Sequence, residues 1–370
     1  MTEIHRGLAG VVADTTAISV IDEDTGILLY RGYPAPDLAA SRSFEEVAYL
    51  IWHGELPDAR QLQAFAQAER SQRQLPAGLT QVIAGLPLGC HPMDVVRTAV
   101  SWLGAAHPAG AEDNLATSID LMAKIPTVIA LDQRRRHGLR PVAPDAGLSF
   151  SPNFFHMCFE AVPGPDALRC FETSLVLYAE HGFNASTFTA RTIASTLSDL
   201  HSAVTGAIGA LKGPLHGGAN EAVMAAFQEI GSAERVAPWL SETLSAGRKI
   251  MGFGHRVYKH GDSRVPAMHA ALMALASGSE DGRRLLGIYE RLEEAVHQAK
   301  GLYPNVDYVT GPAYHLMGFD TPTFTPLFVM SRITGWTAHV MEQLADNALI
   351  RPLSSYTGHP RRAVPAGQAR

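Results

Sequence analysis

The chain is short of charge, of cysteine and of uninterrupted apolar runs. Of its 370 residues only 18% are Asp, Glu, Lys or Arg, below the ~25% of an ordinary soluble domain. The balance is acidic, with 30 basic against 36 acidic residues and a net charge of −6. That excludes the basic footprint of a nucleic-acid-binding protein. Three cysteines, Cys90, Cys158 and Cys170, form no CxxC pair. So sparse and odd a count excludes a disulfide scaffold and suits a reducing compartment. The first ten residues hold no apolar core of the secretory kind. The longest apolar-looking stretch, Thr325 to Leu344, is interrupted by Arg332, His339 and Glu342 and is too polar for a membrane span. A cytoplasmic protein with neither membrane nor nucleic-acid partner is expected. Walker A, Gly-x-Ser-x-Gly and HExxH patterns are also missing, and His255 and His260 stand alone in their loop without metal-ligand spacing. Nucleotide-loop, serine-hydrolase and metal chemistry therefore lack their signatures, and no metal is expected.

What the chain has is apolar: 46% of its residues are hydrophobic. A length of 370 suggests two or three domains, and so little charge implies extensive burial, which oligomerisation would extend. Thr15 to Val20, the turn Asp22 to Gly26, and Ile27 to Tyr30 predict a β-hairpin within 14–33. Ser43 and Glu46 form a capping box for a helix that Gly54 and Pro57 end. Beyond it, helical periodicity runs through 60–74, 92–104, 114–138, 165–180, 185–211, 219–230, 235–248, 263–276, 280–299 and 325–347. Gly- and Pro-rich loops are expected at 105–113, 139–152, 212–218, 251–262 and 301–323, and the tail after Gly358 as a surface extension. No alternation of strand and helix is visible, which argues against a Rossmann or TIM architecture; after the short N-terminal hairpin the pattern is nearly all helix, and the expected class is all-α. Ser202, Gly206 and Ala210 put a face of small residues on one helix. That face suits close helix packing, either inside the chain or between subunits.

The chemistry-bearing residues lie in the glycine-rich loops. His216 sits in Gly213-Pro-Leu-His-Gly-Gly-Ala-Asn220, where flanking glycines leave the imidazole open and a following helix end disfavours its protonation. A histidine that only packs the loop is the alternative. His255 follows a Gly-x-Gly turn in Met251 to Tyr258, with Arg264 nine residues on. Asp307 lies among apolar and aromatic residues in Pro304 to Gly311. Desolvation there would raise its pKa and make it a base, whereas a helix cap is the plainer reading. Arg332 falls between Phe328 and Trp336 at i, i+4, i+8. A guanidinium in that stripe either snorkels or meets a carboxylate, a substrate's included.

These segments together resemble the citrate synthase family. HGGAN at 216–220, GFGHRVY at 252–258 with Arg264 downstream, NVDY at 305–308 and FTPLFVMSRITGWTAH at 324–339 occur in the family's order, and the match runs from Gly7 to about Gly358. Within the family, YAEHGFNASTF at 178–188, AIGALKGPLHGGANEAVM at 207–224 and LIRPLSSYTG at 349–358 most resemble the bacterial 2-methylcitrate synthases. The resemblance implies a largely helical fold, with a large domain of 1–219 and 326–370 and a small domain of 220–325 inserted in it. It implies condensation of an acyl-CoA with oxaloacetate, then thioester hydrolysis. Propionyl-CoA is the first expectation and acetyl-CoA the alternative, a pair that differs by one methyl group. By the same resemblance Asp307 is the base, His216 holds the enol oxygen and His255 protonates the ketone. Arg264, Arg332, Arg351 and His181 clamp oxaloacetate, with Arg73 a further substrate contact. Ile250, Met251, Gly252, Phe253 and Gly254 hold CoA. No permanently bound cofactor is implied. A homodimer is, with Arg351 reaching into the partner's site. A helical binding protein without turnover would have no need to keep all these residues together.

Overall fold

The computed structural model describes residues 4–106, 113–255, 257–258 and 261–364. Arg256 and His260 of the loop motifs, most of the expected loop 105–113 and the last six residues of the tail lie outside these. Among the described residues, sixteen α-helices and one small sheet make an all-α protein. The sheet is antiparallel, with β1 (Ser19–Ile21), β2 (Leu28–Tyr30) and β3 (Tyr33–Pro34). The expected hairpin is β1–β2, pairing Ser19 with Tyr30 and Ile21 with Leu28; β3 is an addition.

The helices are α1 (Ala35–Ser41), α2 (Phe44–His53), α3 (Ala59–Gln72), α4 (Ala77–Gly85), α5 (Pro92–Ala106), α6 (Asn114–Arg136), α7 (Phe150–Phe159) and α8 (Pro165–Tyr178). After them come α9 (Ala185–Ala194), α10 (Leu200–Leu211), α11 (Ala219–Ile230), α12 (Val236–Ser245), α13 (Val265–Ala276), α14 (Glu280–Lys300), α15 (Val306–Leu316) and α16 (Phe324–Ala345). The Ser43–Glu46 capping box starts α2 as expected, and a second box, Asp58 with Gln61, starts α3.

Helix α16 is the axis of the molecule. Every residue from Phe324 to Val340 is buried, and α2, α6, α8, α9 and α10 pack around it. A helix buried on all sides has to be wrapped in this way. Helix α6 is the one helix among the described residues long and apolar enough to cross a membrane, and most of that stretch is buried within the bundle. Length and apolarity together thus belong to α6 rather than to 325–344, and its burial marks it as a core helix.

The expected helix 185–211 is two helices. The chain turns at 195–199, with Leu197 at a φ of 64°, and the Asp199 side chain accepts the Ser202 N–H to start α10. Gly206 lies against Ile193 and Thr189 of α9. This part of the small-residue face therefore serves a helix pair inside the chain, while Ser202 is exposed.

The sheet anchors the end of α8. Tyr30, fully buried, points its hydroxyl at the carbonyls of Val176, Leu177 and Glu180, 3.0–3.2 Å away. The Ser19 hydroxyl donates to Glu180 Oε1 at 2.8 Å. Glu180 also receives His339 Nε2 from α16 at 2.8 Å. The turn after α8 is thereby tied to both the sheet and the central helix.

Candidate functional site

Four segments meet at the end of α8. One is 178–186 itself, with Asn184 capping α9 through the N–H groups of Ser186 and Thr187. The second is the loop between α10 and α11, which carries His216. The third is 251–264, and the fourth the start of α15. Gly252 and Gly254 both have positive φ, 85° and 76°, which admits glycine most readily. A Cβ on Gly252 would also strike Val223 and Tyr308. The glycines let 252–254 lie against 303–305: Gly254 N–H donates to Tyr303 O at 2.8 Å, and Asn305 N–H to Gly252 O at 2.9 Å. This pairing carries His255 and Asp307 to the same place. It also occupies backbone groups of Gly252 and Gly254, two of the residues assigned to CoA.

Both histidines are held neutral. Burial, then the nearby Arg332 charge, pushes His216 down to about 4. Its Nε2 faces the Ser186 backbone N–H at 3.3 Å and the Ser186 hydroxyl at 2.8 Å. A backbone N–H can only donate, so Nε2 is the bare nitrogen and the proton sits on Nδ1. The Ser186 hydroxyl is itself fixed by the Trp336 indole N–H at 3.0 Å. Burial, then Arg264, pushes His255 down to about 4 as well. Its Nδ1 accepts the N–H groups of Val257 and Tyr258 at 3.1 and 3.4 Å, which leaves the proton on Nε2. The His181 ring lies 5.0 Å from the His255 ring, and its Nε2 is 3.2 Å from the Tyr258 hydroxyl. Burial and the surrounding cations hold His181 well below the usual imidazole range.

Asp307 is not the cap of α15; Asn305 is, accepting the Asp307 N–H at 3.1 Å. Asp307 Oδ1 instead accepts the Tyr178 hydroxyl at 2.5 Å. Burial pushes the carboxyl up to about 6, against the lowering effect of that hydrogen bond and of Arg264 and Arg332.

The two arginines differ in their partners. Arg264 forms a bidentate pair with Asp262 through Nε and Nη2, at 2.9 and 2.7 Å. Asp262 also accepts the Val306 N–H at 3.1 Å, which locks the arginine to the start of α15. Arg332 is 1% exposed, so it does not snorkel. Its Nε donates to Tyr178 O at 2.6 Å and its guanidinium lies 4.7 Å over the Phe328 ring. Among the described residues no carboxylate forms an ion pair with it, and burial pulls its pKa down. A buried cation without a paired anion is costly to leave so; an anionic ligand would complete it.

A scan against family models matches residues 7–353 to "Citrate synthase, C-terminal domain". The chain belongs to the citrate synthase family. It is 59% identical over 365 residues to a citrate synthase of Mycolicibacterium smegmatis, covering 98% of this chain and 97% of that one. It is 57% identical to a 2-methylcitrate synthase of Mycobacterium tuberculosis, covering 98% and 93%. Among solved structures it superposes on the citrate synthase of Thermoplasma acidophilum with a TM-score of 0.94 at 32% identity, covering 99% of both chains. That structure is a ternary complex with carboxymethyl coenzyme A and oxaloacetate.

As a member of the citrate synthase family, the chain brings His181, His216, His255, Arg264, Asp307 and Arg332 together. Two expected residues stand apart within it. Arg73 is buried in a bidentate pair with Glu69 and donates to the carbonyls of Asp145 and Leu148. Those partners use Nε and both terminal nitrogens, so Arg73 is a structural arginine and the assignment as a substrate contact is corrected. Arg351 lies in the exposed segment after α16, next to Ile350, whose N–H donates to Ser195 Oγ. Among the described residues no three His, Cys, Asp or Glu side chains converge to hold a metal ion.

Tyr178, Ser186, Tyr258 and Asp262 were missed from sequence. Asp262 was within reach, because an acid two residues before an arginine expected in an anion site is its natural counter-ion. Tyr178 sits three residues before His181, closing the apolar run Leu175, Val176, Leu177 at the end of α8, where a tyrosine is ordinary core.

Proposed function

We propose that this chain condenses propionyl-CoA with oxaloacetate and then hydrolyses the thioester with water, releasing 2-methylcitrate and free CoA. The observation that carries the reading is the buried, unpaired Arg332, together with Arg264, among three titratable groups in matched states: a carboxylate with raised pKa and two neutral imidazoles with assigned protons. Asp307 removes the proton α to the thioester, a task for a base tuned toward neutrality. His216 Nδ1–H donates to the thioester oxygen as it gains enolate charge. The nucleophilic carbon attacks the oxaloacetate ketone, whose oxygen takes the proton of His255 Nε2. Arg264, Arg332 and His181 receive the two carboxylates, the planar guanidinium being suited to bidentate binding. CoA lies along Ile250 to Gly254. It enters and leaves as a co-substrate, and the chemistry asks for no permanently bound group.

The two-domain division, 220–325 within 1–219 and 326–370, belongs to the same reading. Its cleft would run between the end of α8 and the loops 251–264, and closure would keep water from the enolising thioester. Arg351, exposed in one chain, completes the site of a second copy in a cytoplasmic homodimer. Three unpaired cysteines accord with that compartment.

Acetyl-CoA is the second reading, and the 59% identity to a citrate synthase favours it as 57% to a 2-methylcitrate synthase favours the first. One methyl group in an apolar pocket discriminates by only about 1–3 kcal/mol. Release of free CoA, measured with oxaloacetate and each thioester in turn, decides between them. A kcat/KM for propionyl-CoA above that for acetyl-CoA is expected; the reverse order makes the enzyme a citrate synthase.

A further inference from the structure

We propose that Tyr178 and Thr310 form a hydroxyl relay that orients Asp307 and assigns its proton-accepting oxygen to Oδ2. The proposal rests on the reading of Asp307 as the base. Tyr178 Oη lies 2.5 Å from Asp307 Oδ1 and 2.6 Å from Thr310 Oγ1. An ionised carboxylate cannot donate, so the tyrosine proton points to Asp307. Tyr178 Oη, its own proton spent on Asp307, must then accept from Thr310 at 2.6 Å; the other acceptor in reach of that hydroxyl, the Asp307 carbonyl, is farther off at 3.4 Å. The order is fixed in one direction, Thr310 O–H to Tyr178 O–H to Asp307 Oδ1. Hydrogen bonds chained in this sense strengthen one another.

The chain of donors ends on one oxygen. Among the described residues Oδ2 accepts no hydrogen bond, so its lone pair is the one left to take a proton. Tyr178 and Thr310 are both fully buried, and α8 and α15 hold them from opposite sides. The tyrosine ring is further pinned by Phe328, 4.0 Å away, and its carbonyl by Arg332. Tyr178 thus touches two elements besides its own, α15 and α16, and its hydroxyl proton goes to the carboxylate. It is a positioning residue, acting through Asp307.

The relay has a pH signature. The charged groups acting on Asp307 are Arg264 and Arg332, which favour its ionised form, and Asp262, which opposes it. None of these changes when the tyrosine hydroxyl is removed. Losing a hydrogen bond to the charged form alone raises the carboxyl pKa, by about one unit for a bond of this type.

The test compares wild type, Tyr178→Phe and Thr310→Val. The Asp307 carboxyl is titrated directly by infrared difference spectroscopy, with Asp307→Asn as the blank. This readout does not require turnover. Tyr178→Phe should raise the carboxyl midpoint by about one unit, with Thr310→Val shifting it less in the same direction. In parallel, kcat/KM for propionyl-CoA should have its acidic limb moved up by the same amount, with the KM for oxaloacetate little changed. A midpoint unmoved in Tyr178→Phe overturns the relay, even if thermal stability falls. A shifted midpoint in a chain that turns over neither thioester would keep the relay and sink the reading of function instead.

Discussion

At the scale of single residues, protonation states separate the proposed base from its neighbours. Asp307, pushed up to about 6, must lose its proton to act, whereas His216 and His255, pushed down to about 4, are already neutral above that range. The sign follows directly: kcat/KM should rise with pH through about 6 and show no second acidic limb until the histidines charge near 4. Asp307→Asn should lower kcat by on the order of 10²–10⁴, the scale of a positioned general base, with oxaloacetate binding retained. Steady-state kinetics across pH 4 to 8 (roughly two units either side of Asp307) checks both, and a profile with no acidic limb near 6, falling only as the histidines charge near 4, would remove Asp307 from the role of base. Much of this was legible in the residues. Apolar neighbours of Asp307 do raise its pKa, and His216 is neutral as its surroundings implied. The cause differs, however. Desolvation and Arg332 hold His216 neutral; the helix that follows begins three residues later, at Ala219. A sequence shows which residues flank a histidine, not which distant arginine the fold brings beside it.

At the scale of elements, helices with strong periodicity were legible even across a breaker, as α6 is across Pro126, while short helices and those within Gly- and Pro-rich stretches were not. Residues of α15 read as loop because Gly311 and Pro312 interrupt it. In the fold Gly311 is where α15 meets α11, since a Cβ there would approach Asn220 O to 2.9 Å. Helices α1, α4 and α7 were missed as well: α1 and α4 are short, and α7 begins within a stretch whose prolines suggested loop. Gly335 in α16 shows how such a glycine reaches the site. A Cβ there would strike Glu180 Oε2 and lie 2.6 Å from Ala179 O, against the turn that carries Tyr178 and His181. Gly335→Ala should therefore push α16 away from that turn, at an overpacking cost of about 1–3 kcal/mol. Arg332 lies one helical turn earlier and holds Tyr178 O, so the displacement should also raise the KM for oxaloacetate several-fold. Thermal melting and substrate titration separate the two effects. A lowered melting temperature with unchanged KM would show that the turn tolerates the shift.

At the scale of the whole molecule, the low charge and the anionic substrates fit together only through placement. A net charge of −6 cannot draw in oxaloacetate or a CoA thioester. Buried Arg332 and the Asp262-bound Arg264 supply the local positive charge, and Arg264 is half-neutralised by its own partner. A further cation would strengthen the site, and Arg351 is the one its own chain holds apart. The segment that carries it runs without helix from Asp346 to Val364, with Leu349, Leu353 and Tyr356 at 62%, 89% and 77% exposure. Apolar side chains so exposed along a continuous segment ask for a covering surface. The proposed two-fold dimer would provide it twice, each chain giving its tail and receiving the other. Subunits carrying Arg351→Ala and subunits carrying Asp307→Asn should each be nearly inactive alone. In the mixed dimer, the Asp307 of one chain meets the Arg351 of the other in one of the two sites. Activity should return on mixing under conditions that exchange subunits, with a KM for oxaloacetate close to wild type. Mixed dimers isolated by two affinity tags and found inactive would show that Arg351 acts within its own chain or not at all.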